Sequence, residues 1–538
     1  MLDLEDNWDV IVIGGGITGA GIFREAVRAG LKTLLLEQQD FAWGTSSRSS
    51  KLVHGGLRYL KEGRFLLTRD AVRERQRLLA EAQGLVTPMG FLVPVYRDRG
   101  PGRWTLEAGL SLYDLIAKRR QHSYMDAEAF IRQVPNIDRK GLTGGFQFFD
   151  AQVDDARLVL RLIFEGTAAG GAARNYTRVA AVGRDAVGRV NGVTVEDVHS
   201  HQTRALSSTV VINATGCWAE ELHPSPQKNR HIRPLRGSHL IFPAPVLPVK
   251  QAISYVHPAD GRAVFIVPWE GAVIAGTTDL DHDAGLSLEP RITTEEMDYL
   301  LEGLQTLFPA LDISARDCIA TIAGVRPVLS EGKCDPSGES REHVVWVDEG
   351  LVTITGGKLT TFRRLAWDAL KAAKPFLVPT VHFDEDLPVF KPVESQPESA
   401  DPDSNWPRLY GRYGHAAAEI ITRSSPATAE RIPQTPIRWA EIVHAAGNEQ
   451  VRHLSDLLLR RVRLGLLTFE GGRAHLDRIR CLCSPVLDWD AAQWKREIRD
   501  YRETWRFAHG LPGRYAESRG RVKSFFFNVV RRLRKQIN

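Results

Sequence analysis

The residues with the clearest chemical purpose lie near the start of the chain. Gly14-Gly15-Gly16-Ile17-Thr18-Gly19 follows an apolar, β-branched run at residues 10–13 and leads into a helical pattern that closes at Gly30. Glycines at such a turn let the backbone approach a pyrophosphate, whose charge meets the positive end of the helix. Glu37 stands 23 residues beyond Gly14, after a second apolar run at 33–36, where a carboxylate accepts hydrogen bonds from ribose hydroxyls. Gly14, Gly16, Gly19 and Glu37 are therefore the first cofactor-binding candidates. The pattern does not separate NAD from FAD, while an acid at 37 disfavours NADP.

A second block, residues 45–60, combines hydroxyls, glycines and bases with almost no acid, as a loop against a phosphate-bearing cofactor requires. It supplies Thr45, Ser46, Ser47, Ser50, Lys51, His54 and Gly55 as further cofactor candidates, the alternative being a solvated loop. Two later buried-looking runs also stop at glycine turns: residues 210–213 before Ala214-Thr215-Gly216, and 351–355 before Gly356-Gly357-Lys358. The second turn is expected to open a helix at Leu359-Thr360. His239 follows Gly237-Ser238 where an apolar strand starts, and an ordinary imidazole pKa suits a base at neutral pH. Its alternative is a core histidine bonded to backbone.

These motifs, with Arg236-Gly237-Ser238-His239, Gly276-Thr277-Thr278-Asp279, Gly324-Val325-Arg326-Pro327 and Gly356-Gly357-Lys358-Leu359-Thr360-Thr361, closely resemble the FAD-dependent, quinone-linked glycerol-3-phosphate dehydrogenases of the aerobic type. The resemblance spans about residues 8 to 375 in order and continues loosely at residues 456–461. It implies FAD as cofactor and oxidation of sn-glycerol 3-phosphate to dihydroxyacetone phosphate, with electrons passed to a membrane quinone. A phosphate dianion beside a flavin needs fixed cations, and arginine's fork binds two oxygens at once. The family's motifs place Arg326, Lys358 and Arg58 in that role, with Arg341 at an equivalent position, Tyr59 and Thr360 beside the substrate, and Arg326 stabilising the developing alkoxide. An oxidase delivering electrons to oxygen, and a flavin-stabilised interaction protein without turnover, are the competing readings.

The elements that must position these groups imply an α/β protein. The resemblance makes it a Rossmann-like FAD domain of the D-amino-acid-oxidase type with an inserted α+β substrate domain and a helical C-terminal domain. The expected boundaries are 1–65, 145–220 and 322–375 for the FAD domain and 66–144 and 221–321 for the substrate domain. A proline-rich linker at 385–407 precedes a helical domain at 408–538. Thr293 and Glu296 form a capping box for a helix read as packing only, and Asp154-Asp155 read as a cap and dipole partners.

Composition agrees with a folded globular chain: 538 residues, 43% hydrophobic and 25% charged. The acidic N-terminus and the lack of an 18-residue apolar run argue against a signal peptide and a spanning helix. Five scattered cysteines describe neither a disulfide framework nor, at Cys481-Leu482-Cys483, a zinc site. No metal is expected. Net charge is only +5, yet residues 514–538 carry eight bases against one acid. Phe526, Val530, Leu533 and Ile537 fall on one helical face there, with Arg531, Arg534 and Lys535 elsewhere. That pattern suits peripheral attachment to the inner face of the cytoplasmic membrane. Without an aromatic stacking platform it does not suit nucleic acid. A homodimer is left open.

Overall fold

The computed structural model describes residues 4–519 except 58–59, 61–62, 224–230, 287–288, 334–338, 340–341 and 399–403, with backbone alone at 517–519. Two sheets organise it. The first runs in the order His343–Asp348, Leu351–Gly356, Thr203–Asn213, Asn7–Ile13, Thr33–Leu36, Ala172–Arg174. Its last five strands are parallel, with Val10 facing both Val210 and Thr33. Parallel strands need cover on both faces, which is why they read as unbroken apolar runs. The helices Ile17–Arg28, Asp155–Ala168 and Phe362–Ala373 cover one face, burying Val10, Val12, Phe23, Leu162, Phe362 and Leu365 in one core. The hairpin Thr177–Arg184 and Val190–Asp197 covers part of the other through Val193 and Val195.

The second sheet has ten strands, mostly antiparallel, among them Val86–Tyr96, Ile232–Pro243, Ala263–Trp269 and Ala272–Gly276. Two of its strands fall where the FAD domain is expected. Leu142–Val153 pairs along its length with Val86–Tyr96, and Ala320–Leu329 pairs with Ile232–Pro243. The segments 145–153 and 322–329 thus belong to the second sheet, because their hydrogen-bonding partners lie there.

The C-terminal helices close the opposite face of that sheet. Ile241, Trp269, Ile274 and Ile322 pack against Leu457, Leu458, Trp494 and Trp505, each such burial stabilising by roughly 1.5–3 kcal/mol. The proline-rich stretch is docked as well as connecting. Val389 and Phe390 are buried, Arg28 donates to the carbonyls of Pro388 and Val389, and Val389 N donates to Glu81 Oε2 at 2.6 Å. The expected capping box exists, with Thr293 N donating to Glu296 Oε2 at 3.0 Å. Glu296 does more than cap, since it also accepts from Arg236 (3.0 Å), Ser238 Oγ (2.9 Å) and Thr278 Oγ1 (2.7 Å). No helix among the described residues is long and apolar enough to cross a membrane.

Candidate active site

Between the two sheets lies a cavity of about 1860 Å³, well above the ~300–1,000 Å³ of an ordinary ligand pocket. It can hold a dinucleotide with a small molecule beside it. One wall is the carboxyl end of the parallel sheet. Gly14 turns there with φ +108°, and a Cβ on it would stand 2.7 Å from Ala214 O, so only glycine permits the neighbouring turn at Ala214-Thr215-Gly216 to close in. Ile17 N, opening its helix, donates to Ser46 Oγ at 2.9 Å. Glu37 accepts from Gly15 N and Gln39 N, both at 2.7 Å. The four lone-pair sites of its carboxylate exceed the backbone N–H groups it meets, and burial pushes the carboxyl pKa up.

The sequence candidates divide by where they stand. Gly14, Gly16, Glu37, Thr45, Ser46, Ser50, His54, Ala214, Thr215, Gly216, Gly356, Gly357, Lys358, Leu359 and Thr360 line the cavity. Gly19, Ser47, Lys51 and Gly55 do not. A Cβ on Gly19 would collide with Gly14 O at 1.8 Å, so Gly19 permits the tight helix start. Lys51 is wholly buried beneath its loop, its Nζ donating to Asp155 Oδ2 at 2.7 Å and to Ser47 O at 2.9 Å. A cation in a hydroxyl-rich loop reads as phosphate-facing, but a carboxylate 104 residues away claims this one. Gly55 packs against Tyr113 while its N–H donates to Asp150 Oδ1 at 3.1 Å. Arg58, Tyr59 and Arg341 lie outside the described residues.

Arg326 enters the cavity from the second sheet. Its Nη1 donates to Asp279 Oδ1 at 2.9 Å and its Nη2 to Thr277 Oγ1 at 3.0 Å. The guanidinium packs against Gly237, where a Cβ would stand 2.1 Å from Nη2. Asp279 also faces Arg262 Nη2 at 3.8 Å, and Arg262 lines the same wall. Sequence reasoning passed over Arg262, which sits in no motif. It saw the segment carrying Thr277 and Asp279 without assigning either a role.

His239 is inside the strand Ile232–Pro243, 1% exposed, and is not on the cavity wall. Its Nε2 is 2.8 Å from Ser50 Oγ, which is on that wall, and its Nδ1 meets no hydrogen-bonding partner among the described residues. Burial, with Arg326 and Lys51 nearby, holds the imidazole pKa well below its ordinary value. The pKa thus lies below the ordinary value that the sequence suggested for a base. The imidazole is neutral and stands one hydroxyl back. Lys358, Leu359 and Thr360 line the cavity where the chain passes through the turn Leu359–Thr361 into the helix Phe362–Ala373.

Asp154 and Asp155 cap their helix and also anchor cations. Asp154 accepts from Arg157 N at 3.2 Å and pairs with Arg412 at 3.0 Å, while Asp155 takes Lys51 and Arg463.

The residues present fit FAD: a glycine turn that admits close approach, an acid with spare lone pairs, two helix N-termini and a cavity of sufficient size. Residues 9–363 match the family described as FAD dependent oxidoreductase, and residues 397–494 match the C-terminal domain of alpha-glycerophosphate oxidase. The aerobic glycerol-3-phosphate dehydrogenase of Bacillus subtilis (strain 168) is 38% identical over 366 residues, 67% of this chain and 65% of that protein, just under two thirds of its length. That of Staphylococcus saprophyticus is 33% identical over 490 residues, 85% of this chain and 87% of the relative. Among solved structures, glycerol-3-phosphate dehydrogenase from Bacillus halodurans complexed with FAD has a TM-score of 0.73 at 24% identity, covering 94% of this chain and 95% of that one. The L-alpha-glycerophosphate oxidase of Mycoplasma pneumoniae has 0.58 at 16%, covering 73% and 100%. The two structures show the shared fold. From the glycine turn through the helical C-terminal domain, the chain belongs to the FAD-dependent oxidoreductases, in the family of the aerobic glycerol-3-phosphate dehydrogenases.

Proposed function

We propose that this chain oxidises sn-glycerol 3-phosphate to dihydroxyacetone phosphate and passes the electrons to a membrane quinone. The observation that carries the reading is the meeting of Arg326, Lys358 and the His239-backed Ser50 on one cavity with the glycine turn and Glu37. FAD, held by the glycine turns and Glu37, supplies the hydride acceptor when bound. The chain's own residues do the rest. Arg326 and Lys358 bind the phosphate, and Asp279 and Thr277 keep the Arg326 fork oriented before substrate arrives. Ser50 Oγ takes the proton of the substrate's secondary hydroxyl as its own proton moves to the neutral His239 Nε2. Arg58, Tyr59 and Arg341 complete the substrate contacts in this proposal on the family resemblance alone.

Relatives at 33–38% identity that are named dehydrogenases favour that reading over an oxidase, and the quinone rests on the family resemblance. The basic tail adds peripheral membrane contact, on the strength of its spacing. Phe526, Val530, Leu533 and Ile537 lie outside the described residues.

Purified protein given sn-glycerol 3-phosphate and an artificial dye acceptor tests the activity. Dihydroxyacetone phosphate should form in step with dye reduction, and little oxygen should be consumed when the dye is omitted. Dye-independent peroxide at the same rate would favour the oxidase reading, and no product under either condition would refute both.

A further inference from the structure

The loop presenting Ser46 and Ser50 to the cavity is gripped from beneath by the C-terminal helical segment. Asp155 Oδ2 accepts from Ser49 N (3.0 Å), Ser49 Oγ (2.7 Å) and Lys51 Nζ (2.7 Å). Its Oδ1 accepts from Arg463 Nη2, which also donates to Ser47 O at 3.1 Å. Arg463 Nε donates to Asp154 Oδ1 at 3.3 Å and Nη1 to Leu459 O at 2.7 Å. Arg463, Asp155 and Lys51 are at most 1% exposed. Arg463 itself sits at φ +62°, a left-handed conformation that is strained for a side-chain-bearing residue and persists only where its surroundings enforce it. What enforces it here is a fork spread over four acceptors, two of them on or directly beneath the loop.

We infer that Arg463 is a positioning residue of the catalytic site. Acting through Asp155 and the Ser47 carbonyl, it fixes the loop so that Ser46 meets Ile17 N and Ser50 meets His239, which makes the C-terminal domain part of the flavin site. The inference rests on the proposed function. A neighbouring contact shows what a purely structural arginine at this junction looks like. Arg157 is equally buried, donates to Glu449 at 2.7 and 2.9 Å and to Arg412 O at 2.7 Å, and makes no bond to the loop.

The test compares full-length holoprotein carrying Arg463→Lys, Arg157→Lys or Ser49→Ala. Lysine keeps the charge but cannot reproduce the fork. Both lysine variants should lower Tm. Only Arg463→Lys and Ser49→Ala should alter the visible circular dichroism of bound flavin and lower kcat about 10- to 100-fold with little change in KM. Arg463→Lys with parental flavin dichroism and kcat, its Tm lowered like that of Arg157→Lys, would overturn the inference. Should Arg463→Lys fail to fold, parental dichroism and kcat in Ser49→Ala would overturn it equally. If the wild-type protein binds FAD yet does not oxidise glycerol 3-phosphate, the proposed substrate fails and the dichroism comparison still decides on Arg463.

Discussion

Ser50 Oγ lies 2.8 Å from His239 Nε2, and of the two it is the hydroxyl that reaches the cavity. If this pair removes the substrate's proton, flavin reduction should slow by roughly 100- to 10,000-fold in His239→Asn and by at least the lower figure in Ser50→Ala. Flavin content should persist in both. Stopped-flow reduction is the measurement, and folded variants reduced at the parental rate would exclude the relay.

The same pair sets a pH dependence. Because the folded imidazole pKa is depressed below 6.5 by burial, Arg326 and Lys51, His239 stays neutral through the neutral range. A plot of kcat/KM against pH should therefore show no break from this group near 6.5, only one displaced toward acid. The sign for stability runs the same way. The unfolded chain takes up the proton first, so His239 weakens the fold progressively as pH falls below about 6.5. An ordinary break at 6.5 that disappears in His239→Asn would contradict the buried assignment.

If Arg326 and Lys358 hold the phosphate as proposed, replacing either by Met leaves the dianion short of a partner, a loss of about 2–5 kcal/mol by analogy with buried charge pairs. Substrate affinity should collapse while FAD is retained. Asp279→Asn, which loosens the Arg326 fork, should raise KM less than Arg326→Met does. Near-parental kcat/KM in the two Met variants would remove the clamp.

Asp40 accepts from Arg460 and Arg461, both on the C-terminal segment, with Arg461 Nη2 at 2.8 Å from Oδ1. Burial alone would raise its pKa, but the two arginines hold it down, to about 2. A depressed carboxyl pKa stabilises above the unfolded value near 4 and loses that contribution as pH falls toward 2. The difference is on the order of 2 kcal/mol. Asp40→Asn should therefore lower Tm at pH 7, with the gap to the parent narrowing below pH 4. A gap independent of pH would place the effect elsewhere.

Truncation after Gly513 removes the basic tail, and with it Arg514, whose Nη2 pairs with Asp298 at 2.7 Å. The truncated protein should leave anionic liposomes in a flotation assay while keeping activity with a dye acceptor. Identical flotation with and without residues 514–538 would refute membrane attachment through the tail.

The parts of this site legible in the sequence were those whose logic is local. The turn at Gly14, its helix and Glu37 fall within one short βαβ stretch, so spacing alone places them. The partner of Lys51, Asp155, is remote in the chain and so invisible to local spacing, and Asp40 carries no local signal because Arg460 and Arg461 stand 420 and 421 residues away. The proline-rich stretch reads as a loose connection, since nothing local reveals that Val389 and Phe390 fill an apolar gap or that Arg28 and Arg363 donate to its carbonyls. Strand membership of 142–153 and 320–329 depends on pairing partners, which an apolar pattern does not name.

The most direct test of the central claim is anaerobic addition of sn-glycerol 3-phosphate to the purified yellow protein, followed by its visible spectrum. The flavin bands should bleach with sn-glycerol 3-phosphate and persist with glycerol, which lacks the phosphate proposed to lie on Arg326 and Lys358. Bands unchanged by sn-glycerol 3-phosphate, or bleached equally by glycerol, would contradict the account.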